Sequence, residues 1–342
     1  MSPAVRMPRI AVVGAASLIG EALLAELRAR KFPSAGIFAL DEARDLGRHA
    51  GEDEQPLPVG DVAAFDFSRV DLAFFCARSA VSAAYAPAAA AHAWVIDGSA
   101  AHRARADVPL VAADVNPGAL AAIGARGLVA LPGSASVALA TVLAPLHAAG
   151  GLERVEVATY HAVSGSGRAA MEGLAAETVD MLAGRPARGK VFGRQIAFNV
   201  LPLVDALDDD GVSAEERRIW EETRRVLDLP LLEINVSAVR VPVFFGHGLA
   251  VHLRLARALT PAEAGELLRR SSGVELIDAQ SREGVPTPAT SALAPDRVYV
   301  GRLRADPTRD RSLNFWAVAD NVRKCAAHNA VSVAQILVNR PQ

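Results

Sequence analysis

The chain has 342 residues, 51% hydrophobic and 22% charged, a balance that excludes both a single small module and a long disordered chain and leaves room for about two domains. Lysine plus arginine (36) against aspartate plus glutamate (38) gives a formal net charge of −2 with no sustained block of one sign. Neither nucleic acid nor a membrane is therefore expected as a partner. Cys76 and Cys325 are too few for a disulfide framework or a thiolate cage, so no metal is expected and a reducing, cytoplasmic setting fits. The most apolar stretches, 83–96 and 137–149, fall short of the roughly 20 residues of a membrane span. The first residues run into a strand pattern without the apolar region of a signal peptide, so no export is expected.

Residues 9–13 (RIAVV) read as a short buried strand, followed by a turn and by Ile19, Leu23, Leu24 and Leu27 at helical spacing. Apolar runs at 36–40, 72–77, 94–97 and 127–131 alternate with Ala-rich helical stretches. That alternation predicts an α/β, Rossmann-like domain whose parallel sheet is covered on both faces. Beyond about residue 132 the strands lengthen and alternate (152–162, 233–244, 249–258, 298–304, 313–319), predicting an α+β domain on a largely antiparallel sheet. Capping boxes at Ser213-Ala-Glu-Glu and Thr260-Pro-Ala-Glu open two helices, and 205–211 (DALDDDG) reads as an exposed loop. Over 321–338, Val322, Ala326, Val333, Ile336 and Leu337 share one helical face, so this closing helix is expected on the first domain. The expected division is 1–131 with 321–342, and 132–320.

Gly14-Ala-Ala-Ser-Leu-Ile-Gly20 lies between the first strand and the first helix, where backbone N–H groups attract phosphate. A G-x-x-G-x-x-G turn needs glycine at 17. Ser17 adds a Cβ where backbone approaches a pyrophosphate, and reads equally as the helix N-cap. Asp41 ends the second strand, where an acid can bond an adenosine ribose or simply be a solvated carboxylate.

The stretches that follow carry a more specific signal. Residues 71–120, YHAVSGSGRAAMEGL (160–174), QIAFNVLP (195–202), VRVPVFFGHGLAV (239–251), VPTPAT (285–290), YVGRLRAD (299–306) and DNVRKCAAHNAVSVAQ (320–335) together resemble the aspartate-semialdehyde dehydrogenase family over nearly the whole chain. The resemblance implies a homodimer and a site for NADP or NAD, with Gly14, Ser17, Leu18, Ile19, Asp41, Arg78, Ser79, Ser164, Gly165 and Asn321 at cofactor-binding positions. It also implies a substrate shell. Arg103 takes the position of the phosphate-binding arginine, Arg240 that of the carboxylate clamp and His247 that of the acid/base histidine, while Glu215 and Arg218 match an E-x-x-K pair.

The family's nucleophile sits in N-P-N-C-S-T-I-Q, which aligns with LPGSASVA (131–138). The catalytic cysteine has become Ser134, its preceding Asn is Gly133, and the supporting Gln is Ala138. The paired glycines of the second cofactor loop fall on Arg78 and Ser79. This combination resembles the Usg-type paralogues of the family. Ser134 also reads as the N-cap of an apolar helix, His247 taken alone as a structural histidine, and each arginine taken alone as a solvated charge. The expectation is a dehydrogenase homologue with absent or severely reduced activity, a weak dinucleotide site and a retained pocket for a small anionic metabolite or partner. The alternative is a working NAD(P)-dependent oxidoreductase of amino-acid biosynthesis. Asp41 is expected to disfavour a 2′-phosphate, with Arg44 and Arg48 near enough to offset it.

Overall fold

A computed structural model of the chain describes residues 7–51, 56–277, 284–291 and 294–340. It divides into two units, Met1–Gly133 with Ala326–Gln342, and Ser134–Cys325. In the first, β1 (Arg9–Val13) leads into α1 (Leu18–Ala29), followed by β2 (Gly36–Asp41), β3 (His49–Ala50), β4 (Leu57–Asp61), β5 (Leu72–Phe75), α2 (Ser79–Ala90), β6 (Trp94–Asp97) and β7 (Gly127–Ala130). The sheet order is β3-β4-β2-β1-β5-β6-β7, parallel except where β3 meets β4. Central strands buried on both faces read as continuous apolar runs. Ile10 and Val12 pack with Leu23, Leu24 and Leu27 of α1, while Ala11 and Val13 pack with Val81, Ala86 and Ala89 of α2. Val13 lies level with Leu40 of β2 and Phe75 of β5. The turns leaving these three strands therefore gather at one end of the sheet.

The second unit contains α3 (Ser134–Gly150), β8 (Leu152–His161), α4 (Arg168–Leu182), α5 (Ala214–Val226), β9 (Glu233–Arg240), β10 (His247–Leu255), α6 (Pro261–Arg269), β11 (Val274–Leu276), α7 (Pro288–Ser291), β12 (Val298–Ala305) and β13 (Ser312–Ala319). The sheet order is β11-β12-β13-β10-β8-β9. Its centre is antiparallel, but β11–β12 and β8–β9 are parallel pairs, one at each edge. Parallel neighbours need a crossover, and α4 and α5 supply the one between β8 and β9. Leu139, Val142, Leu143 and Leu146 of α3 pack against Leu249, Val251 and Leu253 of β10. Fully burying each such side chain contributes about 1.5–3 kcal/mol.

Both capping boxes form, at Ser213 with Glu216 and at Thr260 with Glu263. Three local expectations are corrected. Strand β9 stops at Arg240, short of 244, because Pro242 cannot donate to a ladder; the chain instead turns, with the carbonyls of Val243 and Phe244 accepting from Val163 and Ser164 N–H at 2.9 and 3.1 Å. The closing helix begins as a π-helical turn, Arg323–His328, before α8 (Asn329–Val338), because Asp320 caps Val322 and Arg323 N–H at 2.9 and 2.7 Å. And α3 already includes Ser134 as its first residue, one position too far in for an N-cap. Val331, Val333, Ala334 and Leu337 of α8 join the core formed by Leu23 and Leu27. Cys325 packs instead in the second unit's core, so the units divide inside the π-helical turn, some residues beyond the expected 320/321. No helix among the described residues is long and apolar enough to cross a membrane.

Candidate functional site

In the first unit, the turn after β1 is closed by its own side chains. Gly14 has φ +81, and a Cβ there would lie 2.7 Å from the backbone of Cys76 and Ala77. Ser17 is the N-cap of α1, its Oγ accepting Gly20 N–H and donating to the Cys76 carbonyl, both at 3.0 Å. Asp41 Oδ2 accepts Ala16 N–H at 3.3 Å and Oδ1 accepts Glu42 N–H at 2.9 Å. Burial raises the Asp41 carboxyl above its ordinary range against those bonds, with Asp45 and Glu42 adding to the rise. Among the described residues, Leu18 and Ile19 N–H have no protein acceptor, as expected of a helix's first turn. They are the donors that fit a phosphate.

Arg78 and Ser79 lie beyond the end of β5. Ser79 opens α2 exposed, and Arg78 Nη2 bonds both carboxylate oxygens of Glu42 at 2.7 Å, joining the loops beyond β5 and β2. Arg48 pairs with Asp45 at 3.0 Å, and the Arg44 side chain lies outside the described residues. Further along the same sheet edge, the buried Asp97 carboxylate accepts Ser99 N–H at 2.9 Å, Ser99 Oγ at 3.1 Å and faces His102 Nδ1 at 2.7 Å. The loop folded around it carries Arg103, whose Nη2 donates to the Gly98 carbonyl at 2.7 Å.

In the second unit, Ser134 is half-buried at the start of α3, and Ala138 is fully packed in the core one turn on. Arg240 at the end of β9, His247 at the start of β10, and Glu215 and Arg218 on α5 come together with two residues sequence reading missed, His161 and Asp205. Arg218 Nη2 bonds Glu215 Oε2 at 2.7 Å and also Asp205. Residues 205–211 form the exposed loop expected, and Asp205 adds an ion pair from it to α5. His161 Nδ1 lies 4.0 Å from Glu215, and its ring is 4.6 Å, centroid to centroid, from that of His247. Arg240 is buried, donates to the Ala162 carbonyl at 3.1 Å, and lies 5.0 Å beneath the Phe192 ring. Desolvation lowers its pKa against the pull of Asp205 and Glu215. Gly165 leaves this cluster open: a Cβ there would stand 3.6 Å from His247 Nε2 and 3.8 Å from Arg240 Nη1. Asn321 bridges Ser164 Oγ, at 3.0 Å, and Gly246 N–H, at 3.0 Å. For these two residues the structure shows loop-tying bonds. Among the described residues there is no cluster of three or more metal-ligating side chains.

His247 Nδ1 accepts Ala162 N–H at 3.1 Å. An amide only donates, so the neutral ring carries its proton on Nε2. Burial holds both rings neutral: His161 is pushed down to about 3, with Arg240 and Arg218 contributing, and His247 well below its ordinary value, with His161 and Arg240 outweighing Glu215. Unfolded imidazoles charge near pH 6.5, so below that pH the unfolded chain binds more protons than the folded one. Stability should fall from there toward pH 3, by up to about 1.4 kcal/mol per pH unit for each ring. Thermal melts across this range will show the fall, and His161→Gln should make it shallower. An equal slope in that variant would place its origin elsewhere.

Two family models match the chain: "Semialdehyde dehydrogenase, NAD binding domain" over residues 9–123 and "Semialdehyde dehydrogenase, dimerisation domain" over residues 143–324. The chain belongs to this family of semialdehyde dehydrogenases. It is 42% identical over 329 residues to the aspartate-semialdehyde dehydrogenase of Legionella pneumophila, covering 96% of this chain and 95% of that protein. To the USG-1 protein homolog of Pseudomonas aeruginosa it is 40% identical over 331 residues, covering 96% and 97%. Among solved structures, aspartate semialdehyde dehydrogenase II from Vibrio cholerae superposes with a TM-score of 0.95 at 37% identity, covering 98% of this chain and all of that one, and its complex with ASA with a TM-score of 0.94.

Proposed function

We propose that this chain is a paralogue in the aspartate-semialdehyde dehydrogenase family whose dehydrogenase activity is absent or severely reduced, and whose charged cluster around Arg240 binds a small anionic metabolite. The observation that carries this reading is the His247 Nδ1 lone pair already taken by a backbone amide, together with the resemblance that puts Ser134 at the nucleophile's position. A thiolate exists near neutral pH wherever a helix N-terminus or a cation lowers its pKa, whereas a hydroxyl must surrender its proton to a base as it attacks. A ring bearing hydrogen on Nε2 donates there and cannot be that base. Neither cysteine substitutes: burial, with Asp97 and Asp41 nearby, pushes the Cys76 thiol up to about 12, and Cys325 is buried in the core.

The substrate half of the reading rests on Arg240, His247 Nε2–H and the space left by Gly165, which together present donors to a carboxylate or phosphate. The Vibrio cholerae relative crystallised with ASA, a ligand that fits this class. A bound NADP or NAD would accept hydride in a working member of the family. Here Leu18 and Ile19 N–H would hold its phosphates, Asp41 would disfavour a 2′-phosphate, and affinity is expected to be weak. The second unit matches the family's dimerisation domain, and a homodimer is expected. Light scattering should give about 72 kDa, twice the 35.8 kDa of the chain. A value near the chain mass at micromolar concentration overturns that expectation.

A further inference from the structure

We propose that the Glu42–Arg78 ion pair is a strap across the adenosine half of the nucleotide cleft, and that its charge, more than the bulk of the side chains at 78 and 79, weakens the binding of a dinucleotide there. This rests on the weakened cleft proposed above and names its cause. Strand β1 lies between β2 and β5, and Val13 is level with both Leu40 and Phe75. Glu42 stands just beyond the end of β2 and Arg78 just beyond the end of β5. A bond between them therefore crosses the line of β1 at the turn that begins with Gly14. One guanidinium nitrogen holds both carboxylate oxygens at 2.7 Å. A dinucleotide with its phosphates on Leu18 and Ile19 N–H directs its adenosine toward the end of β2. That path runs between Glu42 and Arg78.

Among the described residues, the neighbouring acids already carry bonds of their own. Asp41 is buried and spent on Ala16 and Glu42 N–H, and Asp45 is paired with Arg48. Entry of the nucleotide thus costs the ion pair. Arg78 is 61% accessible and Glu42 30%, so that cost is modest and falls with salt.

Fluorescence titration with NADH, which lacks a 2′-phosphate, tests the strap in the full-length protein. Glu42→Gln and Arg78→Leu should each bind NADH about fivefold more tightly than wild type, although leucine keeps bulk at 78. The exchange Glu42→Arg with Arg78→Glu rebuilds the pair and should return to wild-type affinity, and the differences should shrink as salt rises. The strap is overturned if both single variants bind as wild type does, if the exchange binds like the singles, or if only Arg78→Gly tightens binding. No detectable binding in any variant also overturns it while leaving the weak-cleft reading standing. Micromolar wild-type binding with still tighter single variants does the reverse.

Discussion

Incubated with aspartate semialdehyde, phosphate and either NADP or NAD, the purified protein should reduce no cofactor above the level of a variant lacking His247. Three features act in the same direction. Ser134 would need a base, and His247 presents a proton instead of a lone pair. Attack by Ser134 would leave an oxygen ester, a poorer acyl donor to phosphate than a thioester. Ala138, sealed in the core, cannot supply the amide that the family places one turn on. Removing the nucleophile of a comparable catalytic unit costs on the order of 10⁶ in rate, about 8 kcal/mol of transition-state stabilisation. Ser134→Cys, assayed alongside, should raise the rate above wild type, because a thiolate at the start of α3 needs no base. A clear wild-type turnover that Ser134→Ala abolishes would falsify the non-catalytic reading and restore the alternative of a working oxidoreductase.

Succinate, aspartate or phosphate should raise the melting temperature relative to chloride at equal ionic strength. At 100 times its dissociation constant a ligand stabilises the fold by about 2.7 kcal/mol, a few degrees for a chain of this size. Sequence reasoning based this on three arginines and one carboxylate. In the structure the balance is different, because Asp205 joins Glu215 on Arg218 and Arg103 belongs to the first unit. The anion's partner within the second unit is then Arg240, whose buried guanidinium donates to the Ala162 carbonyl and lies beneath the Phe192 ring, with Asp205 and Glu215 acting on it from further off. Arg240→Ala should abolish the shift, and Asp205→Asn should enlarge it by removing one of the two carboxylates on Arg218. If none of the three anions moves the midpoint, or if they move Arg240→Ala equally, the arginines are structural and the binding proposal falls.

Local signals were legible wherever one segment carries its own pattern. The apolar run at 9–13, the helical spacing of Leu23, Leu24 and Leu27, and both capping boxes depend on neighbours within a few residues, and the chain adopts them as read. Where a pattern was interrupted, a single residue type decided the outcome: Pro242 ends β9, and Asp320 reshapes the start of the closing helix. A nucleophile's position at 134 is implied only through resemblance, because a serine before an apolar helix looks the same as any cap.

By itself the sequence determined the alternation of strands and helices, the lengthening of the strands beyond about residue 132, and the family. Tertiary structure alone decided which charges meet. Arg78 reaches Glu42 across 36 residues, Asp205 folds back on Arg218, and His161 on β8 comes to face His247 on β10. It also settled the tautomer of His247, through an amide 85 residues away in sequence. Periodicity encodes which face of an element is buried. It carries no information about which polar side chains from distant elements end within 3 Å of one another, since that depends on strand order and on where each turn leaves the sheet.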